Sequence, residues 1–457
     1  MLADPSNRSY HNPMTLTAAS PSRVDPRILA EELLEARART FLLVAPLTDQ
    51  DLHAQHDPLM SPVLWDLGHI AHFEELWLTR NLDGPIEFVE MPGLYNPFEH
   101  SRSERAALPL PGLSECREIM DEIRGRVLAR LATADLEPGN PLLRDGYVYR
   151  MVLQHEHQHN ETILQTLQLK LGKPYCPAAR FEAPGQGTET ASTVGRGRMV
   201  RFPGGAVEIG TDDRSVAYDN ERSRHEVELD PFWIDVNPVT NEDFVAFIAA
   251  GGYGNRAYWT EAGWEWVSRA AVNAPKYWTW ADDAWQSRSM DRVGPVNPAH
   301  PVCHVSYYEA EAFARFAGKR LPTEFEWEAA ASWDPSTRSK CSYPWGEQRP
   351  TKDLANIDQL SFGPAPVGSY QRNVSPLGCY GMIGDVWEWT TSDLRPYPGF
   401  RSFPYPEYSE AFFGTEYKVL RGGSWATRPG AIRNTFRNWD YPIRRQIFSG
   451  FRCARDD

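Results

Sequence analysis

No stretch of the chain reaches 18 consecutive apolar residues, so no segment is expected to cross a bilayer as a helix. Cysteine is sparse: Cys116, Cys176, Cys303, Cys341, Cys379 and Cys453 are scattered over 457 residues with no CxxC pair. That usage predicts reduced thiols and a cytoplasmic location. The opening MLADPSNRSYHNPMTLTAAS has neither a basic start nor an apolar core, which argues against a secretory signal, and residues 1–24 read as a disordered extension. Positive charge is also in deficit. A formal net charge of −14 disfavours nucleic acid or an anionic membrane surface as partner.

What the chain does have is aromatic: 16 Trp, 19 Tyr and 20 Phe, with most of the tryptophans after position 230. Residues 25–175 carry helical periodicity in four stretches. These are DPRILAEELLEARARTFLLV, SPVLWDLGHIAHFEELWLTRNL with Ser61 as expected cap, SECREIMDEIRGRVLARL, and a long segment running to Gly172. Four such helices predict a bundle, an architecture that builds sites from inward-facing side chains. Residues 176–198 are rich in Gly, Pro, Ser and Thr, as a linker is. From 199 to 457 come short alternating runs, two helical stretches (NEDFVAFIAAG and SYYEAEAFARFAG) and many aromatic loops. The expected layout is an all-α domain followed by an irregular α+β domain.

Within the fourth helix, LQHEHQHNET matches HExxH. His155 and His159 share a helix face and can bind one ion, whereas His157 is rotated by about 200° and is expected beside the site or in solvent. DLGHIAH, on the second helix, offers His69 or His72 as a third ligand, and spacing does not choose between them. A zinc peptidase would use Glu156 as base, but no HExxHxxGxxH continuation follows. Three imidazoles suit tetrahedral zinc or one face of octahedral Fe(2+), which keeps three positions open. Residue chemistry leaves both metals standing.

DLGHI and HEHQHNET, followed by PGGAVEIG, NPVTNEDFVAFI, KRLPTEFEWEAAA, YPWGE, GMIGDVWEWTTS, LRGGSWA and GFRCA, resemble the ergothioneine-biosynthesis sulfoxide synthases (hercynine oxygenases) over nearly all of residues 25–457. The resemblance implies a DinB-like four-helix bundle joined to a C-type-lectin-like domain of the formylglycine-generating-enzyme, or sulfatase-modifying-factor, type. It also implies a cofactor, Fe(2+), on His69, His155 and His159. The implied reaction is oxygen-dependent sulfoxide formation between hercynine and γ-glutamylcysteine or cysteine.

Position by position, the resemblance implies Tyr405 of YPEYSEAFF as the catalytic proton donor, with Tyr397 of RPYPGF as rival. Arg102, Arg105, Asp440 and Arg444 are implied for the thiol substrate, since guanidinium forks fit carboxylates and an aspartate fits an α-ammonium. Gln158, Tyr408 and Asn438 are implied for hercynine. Cys453 is expected as a buried thiol. Rival readings are a synthase using a selenosugar, which would not need Arg102 and Arg105, a zinc hydrolase, and a non-enzymatic lectin-like module. The last leaves the inward histidines unexplained.

Overall fold

Asp25 starts the first helix by accepting the Arg27 N–H at 2.9 Å, and the apolar spacing of Leu29, Leu33, Ala36 and Leu43 turns one face of that helix inward. The computed structural model describes residues 24–80, 82, 93–137, 139–181 and 197–457. The expected extension up to residue 23, and 182–196 of the expected linker, lie outside the described residues.

The helical half contains α1 (Pro26–Val44), the short α2 (Asp49–His53), α3 (Val63–Glu75), α4 (Leu113–Leu131) and α5 (Tyr147–Gln168). α3 continues into a π-helical turn at Leu76–Arg80. Its N-cap is Pro62, without a side-chain cap, because the Ser61 hydroxyl accepts from Arg105 at 2.7 Å instead of capping the helix. α4 has Gly112 as its N-cap and begins at Leu113, one residue before the Ser114 that opens the expected helical stretch. α5 ends at Gln168, short of Gly172, which occupies the turn beyond at φ +73°. Each fully buried leucine of this core contributes roughly 1.5–3 kcal/mol.

Inside the bundle sits a closed ionic square. Arg37 bonds Glu156 at 2.9 Å and Glu74 at 2.6 Å, and Arg124 bonds Glu74 at 2.6 Å and Glu156 at 2.8 Å. One residue comes from each of α1, α3, α4 and α5, so the square fixes the four helices relative to one another.

The second half has a three-stranded sheet, order β1 (Met199–Phe202), β4 (Phe232–Asp235), β14 (Ala454–Asp456), in which the central β4 joins the first and last strands of this half. A four-stranded sheet runs β12 (Asn438–Asp440), β11 (Lys418–Arg421), β10 (Trp387–Asp393), β13 (Ser449–Gly450). Smaller sheets are the hairpin β2 (Gly205–Ile209)–β3 (His225–Leu229), the meander β5 (Trp278–Ala281), β6 (Ala284–Ser289), β7 (Arg292–Pro295), and β8 (Trp333–Asp334)–β9 (Ser339–Lys340). The two expected helices form as α6 (Asn241–Ala249) and α8 (Tyr307–Phe316). α7 (Glu261–Ala270) and α9 (Glu324–Ser332) form where loops or core turns were expected. No described helix is long and apolar enough to cross a membrane.

The halves meet along α5. Gln154 donates to Val216 O at 3.0 Å and accepts from Arg433 at 2.9 Å. Glu161 accepts from Trp387 Nε1 at 2.8 Å and from the Ser424 and Thr427 hydroxyls at 2.7 Å each. Gln168 donates to Arg288 O at 2.8 Å and accepts from Met290 N at 2.6 Å. These three polar residues recur every seventh position, one stripe along two turns each, and all their partners lie in the second half.

Candidate metal centre and active site

α5 projects His155 and His159 from adjacent turns, and α3 brings His69 against them. The ring centroids lie 5.0 Å (His69–His155), 4.8 Å (His69–His159) and 4.5 Å (His155–His159) apart, and one nitrogen from each ring lies within 4.8 Å of the others. Two of the rings are aimed by hydrogen bonds. His69 Nδ1 lies 2.7 Å from Tyr95 O and His159 Nδ1 lies 3.0 Å from Asp66 Oδ1, which assigns the proton to Nδ1 and frees Nε2 in both. His155 stacks on Phe73 with centroids 3.7 Å apart. Burial, then the nearby His159, depresses the pKa of His69 and of His155 well below the usual imidazole value, so both are neutral, as ligands must be.

Gly68 explains how Tyr95 reaches His69. A Cβ at position 68 would overlap the Tyr95 ring, so only glycine lets that residue lie on α3. On its other face His69 stacks on Trp65 (4.8 Å, 11°), and the Arg105 guanidinium covers Trp65 at 3.5 Å.

The histidines open into a cavity of about 1390 Å³ between the two halves. Tyr405, Tyr408, Gln158, Asn438, Asp440, Arg102, Arg105 and Arg444 all line it. Tyr405 packs on Trp77 at 5.0 Å and edge-on to Phe73 at 6.2 Å, and its hydroxyl has no hydrogen-bond partner among the described residues. Burial, then Tyr218, raises the Tyr405 pKa well above that of a free phenol, so its proton stays on. Tyr397 is elsewhere: it is buried under Arg437, at 4.1 Å, with its hydroxyl 3.3 Å from Glu324. Gln158 donates to Tyr408 Oη at 3.3 Å, and Tyr408 stacks on Tyr218 at 4.1 Å.

At the far end Arg444 Nε pairs with Asp440 at 3.2 Å, and its buried Nη1 has no hydrogen-bond partner among the described residues. Arg102 is exposed at the rim and donates to Leu59 O at 3.0 Å. Although its surface is open to solvent, the protein packed around its guanidinium and then Arg444 lower its pKa, with Asp440 opposing, which places all three groups in one electrostatic neighbourhood.

A sulfatase-modifying factor enzyme 1-like domain family matches residues 186–457, and the DinB superfamily matches residues 32–163. The hercynine oxygenase of Mycobacterium tuberculosis is 46% identical over 437 residues, covering 94% of this chain and 99% of that protein. That of Mycolicibacterium thermoresistibile is 44% identical over 435 residues, covering 94% of each. The formylglycine-generating enzyme of Thermomonospora curvata is 32% identical over 323 residues, covering 61% of this chain and 99% of that protein. The chain belongs to the hercynine oxygenase family.

Two neighbours of the ligands on α5 take definite places. Glu156, the base a zinc peptidase would need, is in the ionic square, where Arg37 and Arg124 outweigh burial and hold it at about 2. It makes no part of the cavity wall. His157 takes the first of its two expected places, beside the site: it is buried and lines the cavity, with Gly430 of the second half close to the ring. Burial, then Arg428, pushes His157 down to about 3.

Arg105 lines the cavity, but Ser61, His100 O and Pro97 O take its donors, at 2.7, 3.1 and 3.5 Å. Arg102 and Arg444 therefore offer more free N–H groups than Arg105 does. Sequence reasoning missed Asp66, Tyr95 and the aromatic wall of Trp65, Phe73, Trp77 and Trp439. Asp66 stands three residues before His69 on one helix face, a signal that was available.

Proposed function

We propose that this chain is a sulfoxide synthase, joining hercynine to a cysteinyl thiol, γ-glutamylcysteine by preference, with dioxygen and ferrous iron. The observation that carries the reading is the opening of three converging imidazoles into one cavity with a phenol and a paired Asp–Arg end. The donor set fits ferrous iron, since three imidazoles on one side leave positions for ligands on the other. Bound by His69, His155 and His159, iron supplies a site for the thiolate and the redox chemistry with dioxygen.

The protein's own groups do the rest. Arg444 and Arg102 receive the carboxylates of the thiol substrate, and Asp440 its α-ammonium. Tyr408, Trp439 and Phe412 present aromatic faces to the trimethylammonium of hercynine, and Gln158 and Asn438 supply hydrogen bonds. Tyr405 holds a proton at the wall and donates it during oxygen reduction. Fixing both substrates in one cavity removes most of the entropic cost of their meeting. In this reading residues 25–175 hold the metal, residues 199–457 hold most substrate contacts, and 176–198 join them.

The test is anaerobic purification, ferrous iron loading, and oxygen consumption with hercynine plus γ-glutamylcysteine or cysteine, followed by product mass. Tyr405→Phe should divert turnover from C–S coupling to thiol dioxygenation. A product mass without the added sulfoxide oxygen, or turnover without oxygen uptake, overturns the reading.

A further inference from the structure

A second cavity, of about 420 Å³, lies in the C-terminal half and shares no lining residue with the histidine site. The β5–β7 meander and Lys276 before it form one side, and the segment around His300–His304 forms another. Lys276, Arg288 and Arg292 line it, and no aspartate or glutamate does. In a chain of formal net charge −14, three cations without a carboxylate in one wall invert the local sign of charge.

The two arginines are held by uncharged partners. Arg292 donates to Ser361 O at 2.9 Å and Phe362 O at 3.0 Å, and Arg288 donates to Met290 O at 3.2 Å and Gln168 O at 2.5 Å. Carbonyls orient these guanidiniums without neutralising them. Lys276 Nζ has no hydrogen bond or ion pair among the described residues; it faces the Tyr277 ring at 5.6 Å, and Arg288 faces the same ring at 5.0 Å. Burial lowers the Lys276 pKa, Arg445 and Arg288 add to the effect, and Asp57 opposes it without forming an ion pair. Tyr277 Oη, His300 Nε2 and His304 Nδ1, on residues that line the cavity from both sides, are buried with no hydrogen-bond partner among the described residues. Tyr277 and His304 also hold backbone φ of +71° and +65°, a conformation that costs energy in residues other than glycine.

We propose that this cavity is a second binding site, taking a small organic anion whose carboxylate or phosphate group is held by Lys276, Arg288 and Arg292. The volume is that of a small-molecule pocket, and Trp278 and Trp425 in the wall give an organic body apolar surface to rest on. The ring and hydroxyl groups of Tyr277, His300 and His304 supply hydrogen bonds to the polar atoms of that ligand. The inference is independent of the chemistry proposed for the histidine site.

Calorimetric titration of the full chain with inorganic phosphate, and separately with succinate, at an ionic strength fixed by sodium chloride, tests it. Saturable binding of at least one probe is expected, phosphate alone marking a phosphate ester and succinate alone a carboxylate ligand. Lys276→Met with Arg292→Met should weaken binding by about tenfold or more. Lys276→Gln alone, a milder change, should weaken it in the same direction and serves if the double variant does not fold. Arg444→Met, which alters only the larger cavity, should leave it unchanged. Absence of binding by both probes, binding indifferent to the Lys276 change, or loss of binding in Arg444→Met overturns the proposal.

Discussion

Asp219 and Ser409 share a 2.5 Å hydrogen bond, Ser409 Oγ donating to Oδ1, while Oδ2 of the same carboxylate accepts from Phe403 N at 3.0 Å. The two contacts clasp a loop whose interior carries Tyr405 and Tyr408. Asp219→Ala leaves the buried Ser409 hydroxyl and the half-buried Phe403 N–H unmatched, at about 1–3 kcal/mol for the buried group, and frees that loop. The expected outcome is a folded enzyme whose products shift from sulfoxide towards oxidised thiol, the direction expected of Tyr405→Phe. Quantitative mass analysis of the two products checks it; an unaltered ratio would separate Asp219 from the positioning of Tyr405.

Asp66 aims His159. Asp66→Ala removes that partner while leaving all three imidazoles present, and is expected to weaken metal binding by about 10–100-fold. Metal content after dialysis against a graded chelator series measures the change. Retention equal to that of the unaltered protein would mean that packing alone orients the ring.

Gly68→Ala acts on the neighbouring ligand from behind. The added methyl displaces Tyr95, and with it the carbonyl that fixes His69. Metal content should fall while helicity by circular dichroism stays close to that of the parent. A variant that unfolds outright would instead assign Gly68 to the stability of the bundle.

Glu156 governs acid stability. Its folded pKa of about 2 lies below the ordinary 4.5, so the stabilisation is complete above the unfolded value and is lost as pH falls from about 4.5 towards 2. Glu156→Gln, breaking a buried pair, should cost about 3–5 kcal/mol at neutral pH and flatten the decline below pH 4.5. Denaturant midpoints of both proteins at pH 7 and pH 3.5 read the difference.

Arg444→Met should raise KM for γ-glutamylcysteine by about 10–100-fold, the worth of a charge-assisted hydrogen bond, with a small change in kcat. Initial rates at saturating hercynine and oxygen separate the two constants.

The histidine cluster was legible because helical spacing binds residues 155 and 159 together, while the choice of His69 over His72 needed the motif around it. The same periodicity revealed the four bundle helices. It could not reveal α9: eight of the nine residues in EFEWEAAAS are buried, so no polar face alternates with an apolar one. The capping box from Thr323 to Glu326 was the readable sign there. Tyr95 escaped detection for a different reason, since it acts through a backbone carbonyl, which carries no side-chain signature. The structural place of Glu156 stayed hidden, because HExxH records neighbours along the helix and says nothing of Arg37 and Arg124 approaching from other helices.

The stripe of Gln154, Glu161 and Gln168 bears on how two-part proteins of this kind can diversify. A rear module exchanged for another would have to present amides, hydroxyls and carbonyls in step with three side chains set one heptad apart. A merely greasy surface would strand them. Recombination at this seam is therefore selective: the bundle accepts only companions that carry a matching comb of polar teeth.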